Sequence, residues 1–285
     1  MRKQEKVALF FLLPYLIVFI MFRLGPSIAG ILVSFTKWDI IGNPQFIGFK
    51  NFWYLFQDQN FHIALKNTFL FLLLTAPPLV LFSLLFAVLL NQGMKGKNLV
   101  RTIVFSPYVI MPAVIGIIWN WLYDNNFGII NYYLRFIGLR PIEWLTSENW
   151  ALFAVSIVTV WSLVGYNMIL YLAGLQGIDN GLYEAARIDG ANGFQMFIKL
   201  TVPMLAPVTS MIVTLTLINT VQIFDQIYVM TSGGPGTATL TLVQYMYGQA
   251  FQNFTLGYGS SIGFVILLIL TGLVLFQSKV IKAES

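Results

Sequence analysis

The 285-residue sequence is 58% hydrophobic and only 9% charged, with a mean hydropathy of +0.77, which excludes a soluble globular domain and predicts several membrane-spanning segments. It contains no cysteine and a single histidine, His62, so disulfides, thiolate metal sites and histidine clusters are excluded. The net charge of +5 does not indicate nucleic-acid binding, because the basic residues flank apolar runs.

The first predicted span covers residues 7–22, which are apolar without interruption until Arg23. No A-x-A-like cleavage site closes the run, so we expect an uncleaved span rather than a signal peptide. Arg23 would lie about 24 Å along the helix from Val7, near the far interface, where its side chain can reach water. We expect Arg23 to anchor the span, with a part in transport as the alternative.

Five further apolar runs predict a total of six spans, which gives an all-α transmembrane fold. Prolines are expected to kink the second span at Pro77-Pro78, and the third carries Pro107 and Pro112. The predicted ranges are 68–90, 102–123, 150–175, 204–230 and 260–277.

Two regions follow from this division, an N-terminal span with an outer loop at 1–67 and a core transmembrane region at 68–285. The outer loop is expected to hold turns and a short interfacial helix, with His62 on its surface. Between the fifth and sixth spans, apolar residues at helical spacing from Leu240 to Phe254 predict a short amphipathic helix at the outer surface.

The distribution of Lys and Arg predicts that both chain termini are cytoplasmic. Ten of these residues fall in the N-terminus, the loop at 91–101, the loop at 178–203 and the C-terminal tail. Five fall in the opposite loops: Lys37, Lys50, Lys66, Arg135 and Arg140. This asymmetry satisfies the positive-inside rule.

The loop at 178–203 is the longest polar interruption in the second half of the chain. Asp179 or Asn180 can cap a short helix, and Gly190 can adopt the left-handed conformation that ends it. Asn192, with Gln195 three residues later, can open a second helix. The loop therefore predicts a helix, a sharp corner and a helix.

This loop resembles the EAA loop of ATP-binding-cassette importer permeases. In those permeases, the EAA loop is the segment that binds the ATPase. Leu200 and Val202 stand where the general pattern prefers isoleucine and leucine, and both keep an apolar contact. The resemblance assigns ATPase coupling to Glu184, Ala185, Ala186, Asp189, Gly190 and Pro203.

A second segment, FDQIYVMTSGGP followed by QYMYGQAF and GYGSS, is similar to the connection between the last two spans in the carbohydrate-uptake, maltose-type group of these permeases. The resemblance implies the type I importer permease (MetI-like) fold in the bacterial cytoplasmic membrane. It also implies a second permease subunit, either a homologous different chain or an identical one, together with two ATPase subunits and an external solute-binding protein.

ATP is expected to bind to another chain. A P-loop needs the pattern G-x-x-x-x-G-K-[ST]. The only Gly-Lys pair is Gly96-Lys97, followed by Asn98 and preceded by Asn91 where the first glycine would stand. We therefore expect no cofactor and no enzymatic activity in this chain, with ATP and Mg²⁺ held by the partner ATPase.

Polar residues within the fourth and fifth spans are the candidates for the substrate path. Their spacing in the fifth span predicts one helix face directed toward the bundle interior, because polar groups are costly against lipid. Hydrogen bonding between helices is the alternative. The candidates are Asn219, Gln222, Gln226, Trp161 and Asn167, accompanied by Thr216, Asp225 and Tyr166.

Other functions are less consistent with the sequence. An ion-coupled transporter usually carries ionisable residues at mid-membrane, whereas the predicted spans offer only Asp225 and Arg23, both near an interface. An ordinary interfacial segment at 178–203, or an importer of amino acids, metals or polyamines, is the remaining alternative. Sugars, oligosaccharides and glycerol phosphates stay open as solutes.

Overall fold

The computed structural model describes residues 3–40, 42–93 and 95–284, with side chains described from residue 10 to residue 279 within these ranges. The described chain is mostly helical, and its strands Thr36–Lys37 (β1) and Gln45–Phe46 (β2) form one antiparallel pair. Two compact units are present: one contains residues 1–61 and 245–268, and the other contains 62–244 and 269–285.

The helices before the loop at 178–203 are α1 Lys3–Phe19, α2 Gly25–Val33, α3 Lys50–Gln57, α4 Gln59–Asn91, α5 Lys97–Val109, α6 Pro112–Leu122, α7 Ile129–Phe136 and α8 Ala151–Gln176. The later helices are α9 Asn180–Ile188, α10 Gly193–Met196, α11 Val202–Met204, α12 Ala206–Val221, α13 Asp225–Met230, α14 Leu242–Tyr247 and α15 Leu256–Glu284. Short π-helical turns occur at Ile20–Leu24, Phe197–Thr201 and Gly248–Gln252.

The first span is longer than predicted. It runs from Phe10 to Val33, so Arg23 lies inside it and not at its far end. The helix continues because Pro26 falls in the first turn of α2, where a missing N–H is tolerated. Gly25 follows the π-helical turn, and a Cβ there would lie 2.9 Å from the Ile20 carbonyl oxygen. The helix therefore continues past Arg23 and does not end beside it as predicted.

The second span begins at Gln59, nine residues before the predicted start, and continues through Pro77-Pro78 without a break. The predicted outer loop therefore contains the β1–β2 pair, α3 and the first turns of α4. His62 is exposed, as expected, but it lies within this helix.

The third predicted span is broken. Helices α5 and α6 are bent by 101° relative to each other. Ile110 and Met111 have extended ψ angles of 136° and 130°. Pro112 explains part of the break because proline disfavours the helical conformation of the residue before it. The described residues thus contain five helices that are long and apolar enough to cross a membrane, or up to six if this bent pair is one span.

The fourth span, Ala151–Gln176, matches its predicted range closely. The fifth runs from Ala206 to Met230 but is interrupted at residues 222–224, and the sixth spans Leu256–Lys279. A short helix forms in the predicted connection, as α14 and the π-helical turn after it. Leu242, Tyr245 and Ala250 are buried, whereas Phe251 is exposed.

The core of the second unit is built around α8, in which 61% of the span window is buried. One cluster includes Phe71, Val155 and Ile227, and another includes Leu90, Tyr171 and Ile212. Gly165 lets α5 and α8 approach closely, because a Cβ at this position would lie 2.2 Å from the Val104 carbonyl oxygen. Helix α8 thereby positions the loop that follows it.

Candidate functional site

The loop after α8 begins with a capped helix. Asp179 precedes α9, and its carboxylate accepts a hydrogen bond from the Gly181 backbone N–H at 2.9 Å. This satisfies one of the free donors at the helix N-terminus. Glu184 and Ala185 are exposed on α9, and Ala186 is half-buried. The small side chains of Ala185 and Ala186 allow another chain to pack closely against α9.

The corner after α9 depends on Gly190, which has a φ of +79°. Its backbone N–H donates to the Arg187 carbonyl oxygen at 3.1 Å, and the Ala191 N–H donates to the Ala186 carbonyl oxygen at 2.9 Å. A Cβ at Gly190 would meet no atom within 4 Å. The requirement for glycine is therefore conformational and does not come from crowding.

The second half of the loop is opened by a capping box. The Gln195 backbone N–H donates to the Asn192 side-chain oxygen at 2.8 Å, and the Asn192 backbone N–H donates to the Gln195 side-chain oxygen at 2.9 Å. A π-helical turn and α11 follow, with Pro203 in the first turn of α11 and exposed. The predicted helix, corner and helix are confirmed.

The two halves of the loop are tied together and backed by a polar cavity. The hydroxyl groups of Tyr183 and Thr201 are 2.9 Å apart. A cavity of 510 Å³ lies beside them and is also lined by Asn91, Glu184 and Arg187. A second cavity of 340 Å³ at the corner is lined by residues that include Ala186, Asp189, Gly190 and Lys199.

Large apolar side chains project from this loop. Ile188 is 86% exposed and Phe194 is 73% exposed. An apolar surface beside charged residues is typical of a protein contact. Among the described residues, no group of three or more His, Cys, Asp or Glu side chains could hold a metal ion.

The polar residues of the fifth span do not share one face. Gln226 is buried, whereas Asn219 and Gln222 are exposed, and α12 ends at Val221. The expectation that these side chains point together toward the bundle interior is therefore wrong, because the helix break changes the direction of the later residues. The exposed pair, Asn219 and Gln222, forms a polar patch at the C-terminal end of α12.

The two candidate path residues on α8, Asn167 and Trp161, also lie in different environments. Asn167 is buried, and its amide donates to the Thr216 hydroxyl oxygen at 3.1 Å. Trp161 is 40% exposed and lies on a different side of α8, in an apolar groove shared with Phe82 and Phe153. Trp161 and Asn167 therefore do not form a single site.

Sequence reasoning missed Tyr108, which lies at the end of α5 beside the break. Its ring stacks on that of Tyr166, with the centroids 4.6 Å apart and the planes 17° apart. Pro107 and Pro112 flank this position, but prolines alone do not show where a membrane helix breaks, since Pro77 and Pro78 lie in a continuous helix.

Comparison with known proteins agrees with this geometry. The family model described as "binding-protein-dependent transport system inner membrane component" matches residues 64–281. The probable ABC transporter permease protein YurN of Bacillus subtilis (strain 168) is 34% identical, over 99% of this chain and 98% of the relative. The trehalose/maltose transport system permease protein MalF of Thermococcus litoralis is 31% identical, over 98% and 94% respectively.

A solved structure is also similar to this chain. The crystal structure of a bacterial alginate ABC transporter, in complex with an alginate pentasaccharide-bound periplasmic protein, contains a chain that is 26% identical. It superposes with a TM-score of 0.85 over 96% of this chain and 93% of that chain. The family model, the similar sequences and the similar solved structure all indicate the same assignment. This chain therefore belongs to the inner-membrane components of binding-protein-dependent transport systems and is a permease subunit, not the ATPase.

Proposed function

We propose that this permease imports a sugar or oligosaccharide, and that the exposed loop at 178–203 couples uptake to ATP hydrolysis in a partner chain. The observation that carries the proposal is the rigid, capped corner at Gly190 with exposed apolar side chains beside it. The cargo class is supported by two similar proteins, one named for trehalose and maltose transport and one solved in complex with an alginate-bound protein.

The partners in this proposal are two ATPase subunits, a second permease and an external solute-binding protein. ATP and Mg²⁺ bind to the ATPase subunits. Glu184 is positioned to pair with a basic residue of the ATPase, while Ala185 and Ala186 permit close packing. Closure of the ATPase dimer moves the loop as a rigid body, and the helices transmit this motion to a gate on the substrate path.

The substrate path in this proposal follows the polar patch at Asn219 and Gln222. Polar side chains exposed on an apolar span are costly against lipid, so a water-filled path or a second permease should cover them. The break between α5 and α6 supports the same location, since irregular backbone at membrane depth occurs where it is buried in protein or lines a cavity. The Tyr108–Tyr166 stack beside the break offers aromatic faces to a sugar ring.

The roles of the other candidates differ. Asn167 acts in packing, because its amide is already engaged with Thr216. Gln226 is buried and contributes to the path only if the transport cycle exposes it, whereas Trp161 is exposed to an apolar groove on a different side of α8 from Asn167. A glycerol phosphate belongs to the same cargo group as the sugars, and a solute of another class, such as an amino acid, a metal or a polyamine, is the second candidate. An ion-coupled transporter is the third, and it would function without an ATPase.

Reconstitution tests the function. The permease, expressed with the ATPase and permease encoded beside it, is placed in liposomes together with the neighbouring binding protein. The solute is first identified as the sugar that raises the melting temperature of the binding protein. We expect uptake of that sugar only when ATP is supplied to the ATPase. Uptake without an ATPase, or a binding protein stabilised only by amino acids, would contradict the proposal.

The proposed topology has six spans, counting the bent pair as one, with both termini in the cytoplasm. Single cysteines are introduced into this cysteine-free chain and labelled in intact cells with an impermeant reagent. Positions 45, 130 and 237 should react, whereas 95, 190 and 282 should be protected. The side chain at position 282 lies outside the described residues. Labelling of position 190 from outside would refute this orientation.

A further inference from the structure

Helix α7 carries apolar side chains on two faces. Its inner face packs on the core, where Asn131 is buried and Ile130 contacts the cluster that includes Phe71. We call its opposite, exposed face the outer stripe. The outer stripe consists of four residues at the spacing of one helix side: Ile129, Tyr132, Tyr133 and Phe136. A short helix surrounded by water would instead expose polar residues on this face.

The orientation of α7 is fixed by Asn131, which is 1% exposed. Its side-chain oxygen accepts hydrogen bonds from the Ile142 backbone N–H at 3.0 Å and from the Trp144 indole N–H at 3.1 Å. Its amide nitrogen donates to the Ile142 carbonyl oxygen at 3.0 Å. Rotating the helix to bury the outer stripe would break these bonds, which is costly for buried groups. The outer stripe therefore stays exposed within this chain.

The turn from α6 into α7 is equally restricted. The Asp124 carboxylate accepts hydrogen bonds from the backbone N–H groups of Asn126 at 2.8 Å and Phe127 at 3.1 Å. Gly128 closes the turn, because a Cβ at this position would lie 2.4 Å from the Asp124 carbonyl oxygen. Helix α7 therefore leaves the end of α6 in one defined direction.

Helix α7 begins close to the end of a membrane helix. Helix α6 is the second half of the bent pair, and residues 123–128 alone separate it from α7. Its large exposed side chains are all apolar: Val114, Ile117, Ile118 and Trp121. In a membrane protein such a face contacts lipid or another membrane subunit. The chain thus enters α7 where a membrane-facing surface ends.

The side chains of the outer stripe combine apolar rings with hydroxyl groups. Tyr132 is 63% exposed and Tyr133 is 59% exposed, and their rings contact each other edge to face. Phe136 is 78% exposed. A tyrosine ring favours apolar surroundings while its hydroxyl group needs a hydrogen-bond partner, and the boundary between acyl chains and headgroups supplies both. Flanking residues extend this apolar surface: Phe127, Ile137 and Leu139.

Charge does not account for this surface. Residues 124–149 carry a net charge of −1, from three acidic and two basic side chains: Asp124, Glu143, Glu148, Arg135 and Arg140. Arg135 lies outside the outer stripe, and its guanidinium donates to the Asn125 carbonyl oxygen at 2.9 Å. An attraction between the outer stripe and a membrane must therefore be apolar, and it should not require anionic lipid.

From this arrangement we infer that α7 lies along the boundary between membrane and water, with the outer stripe against the upper acyl chains of the lipids. The apolar face of a helix in this position is buried about 5 to 10 Å into the boundary region. The inner face packs on the protein core at the same time, so α7 anchors the segment at 124–149 to the bilayer. This inference does not depend on which solute the permease carries.

Spin labelling of the cysteine-free chain tests the inference. Tyr132→Cys, Phe136→Cys and Glu143→Cys are labelled one at a time in the permease, which is reconstituted into liposomes with the neighbouring permease and ATPase. The collision rates of each label are measured with oxygen, which concentrates in lipid, and with a water-soluble nickel chelate supplied on both sides of the membrane.

We expect oxygen collisions to exceed chelate collisions at positions 132 and 136, which lie on the outer stripe. The reverse should hold at position 143, which is an exposed carboxylate outside it. Because the outer stripe is uncharged, the ratios should be the same in liposomes of phosphatidylcholine and of phosphatidylglycerol.

A charged variant separates insertion from packing. With the label at Ile129→Cys, Phe136→Asp should raise the chelate collision rate, because a carboxylate is costly among acyl chains. Asn126→Asp, which adds the same charge at an exposed residue outside the outer stripe, should leave that rate unchanged. Comparable unfolding temperatures for all variants establish that each one is folded.

Three results would overturn the inference. The first is a chelate collision rate at positions 132 and 136 equal to that at position 143, which would place the outer stripe in water. The second is a label that neither reagent reaches, which would identify a face covered by another subunit. The third is a loss of oxygen collisions when the solute-binding protein is added, which would identify a docking surface for that protein.

Discussion

The side-chain amide of Asn167 donates a hydrogen bond to the hydroxyl oxygen of Thr216 across 3.1 Å, joining the fourth span to the fifth. Both side chains are buried, with exposed fractions of 4% and 2%. A polar pair enclosed in this way stabilises helix packing and leaves little surface for a solute.

Thr216→Val should therefore lower stability without abolishing uptake. Interhelical hydrogen bonds in membrane proteins contribute about 0.6 kcal/mol on average and up to about 1.7 kcal/mol, and we expect a loss in this range. Unfolding of the purified permease measures it. Thr216→Ser, which keeps the hydroxyl group, is the matched control. A double-mutant cycle with Asn167→Ala should show coupling of the same size, and additive effects would contradict the proposed bond.

Gly190→Ala should weaken coupling because alanine is strained at a φ of +79°, by roughly 1 kcal/mol or more. Gly193→Ala is the matched control. A Cβ at either position meets no atom within 4 Å, but only Gly190 has a positive φ.

Gly190→Val and Glu184→Lys should have larger effects, with loss of sugar uptake while the protein stays in the membrane. The readouts are uptake, ATPase copurification and membrane content. Equal losses in the Gly190→Ala and Gly193→Ala variants would show that the left-handed corner is not the critical feature.

Asn219→Ala and Gln222→Ala should impair uptake, or alter the stimulation of ATPase activity by loaded binding protein, while assembly stays intact. The reason is that both side chains are exposed on an apolar span and are available to a solute. Asn126→Ala, which removes an exposed amide outside the spans, should have no effect. Normal uptake in both span variants would remove this patch from the path, whereas loss of assembly would assign it to packing.

Gly165→Ala should destabilise the permease more than any other glycine-to-alanine exchange discussed above. The added Cβ would lie 2.2 Å from the Val104 carbonyl oxygen, so α5 and α8 would have to move apart. Overpacking of this kind typically costs about 1 to 3 kcal/mol. Gly272→Ala on α15 is the control, because a Cβ there meets nothing within 4 Å. The unfolding temperatures of the two variants in one detergent provide the comparison.

Asp58 should make the unit that contains it sensitive to acid. Burial opposes ionisation of its carboxylate, but hydrogen bonds from Tyr245, Tyr258 and the backbone N–H groups of Phe61 and Asn60 outweigh burial and lower its pKa from the ordinary value of 3.8. A lowered pKa means that the stabilisation is complete above about pH 4 and is lost as the pH falls through the folded-state pKa.

Asp58→Asn should therefore lower the unfolding temperature at pH 7, and the difference from the wild type should shrink below pH 4. Asp39→Asn, at an exposed carboxylate of the same unit, is the control. A difference between wild type and Asp58→Asn that stays constant from pH 7 to pH 3 would contradict this role. The measurement is the unfolding temperature of the wild type and of each variant in one detergent, from pH 7 to pH 3.

The amino-acid sequence by itself determined the membrane class, the helix, corner and helix of the loop at 178–203, and the left-handed corner at Gly190. These features depend on local chemistry: apolar length for the spans, side-chain caps at Asp179 and Asn192, and the conformational freedom of glycine. The family assignment followed from the same loop, because its spaced residues form one continuous segment and need no knowledge of the rest of the fold.

Only the tertiary structure decided which polar residues are enclosed and which face outward. Helical spacing placed Asn219, Gln222 and Gln226 on one face, but the break after Val221 redirected the last of them into the core. The 101° bend before Pro112 likewise could not be read from the prolines, since Pro77-Pro78 lie in a helix that continues unbroken. Whether a proline bends or breaks a membrane helix depends on the neighbouring helices that can satisfy the freed backbone groups, and those neighbours are set by the fold.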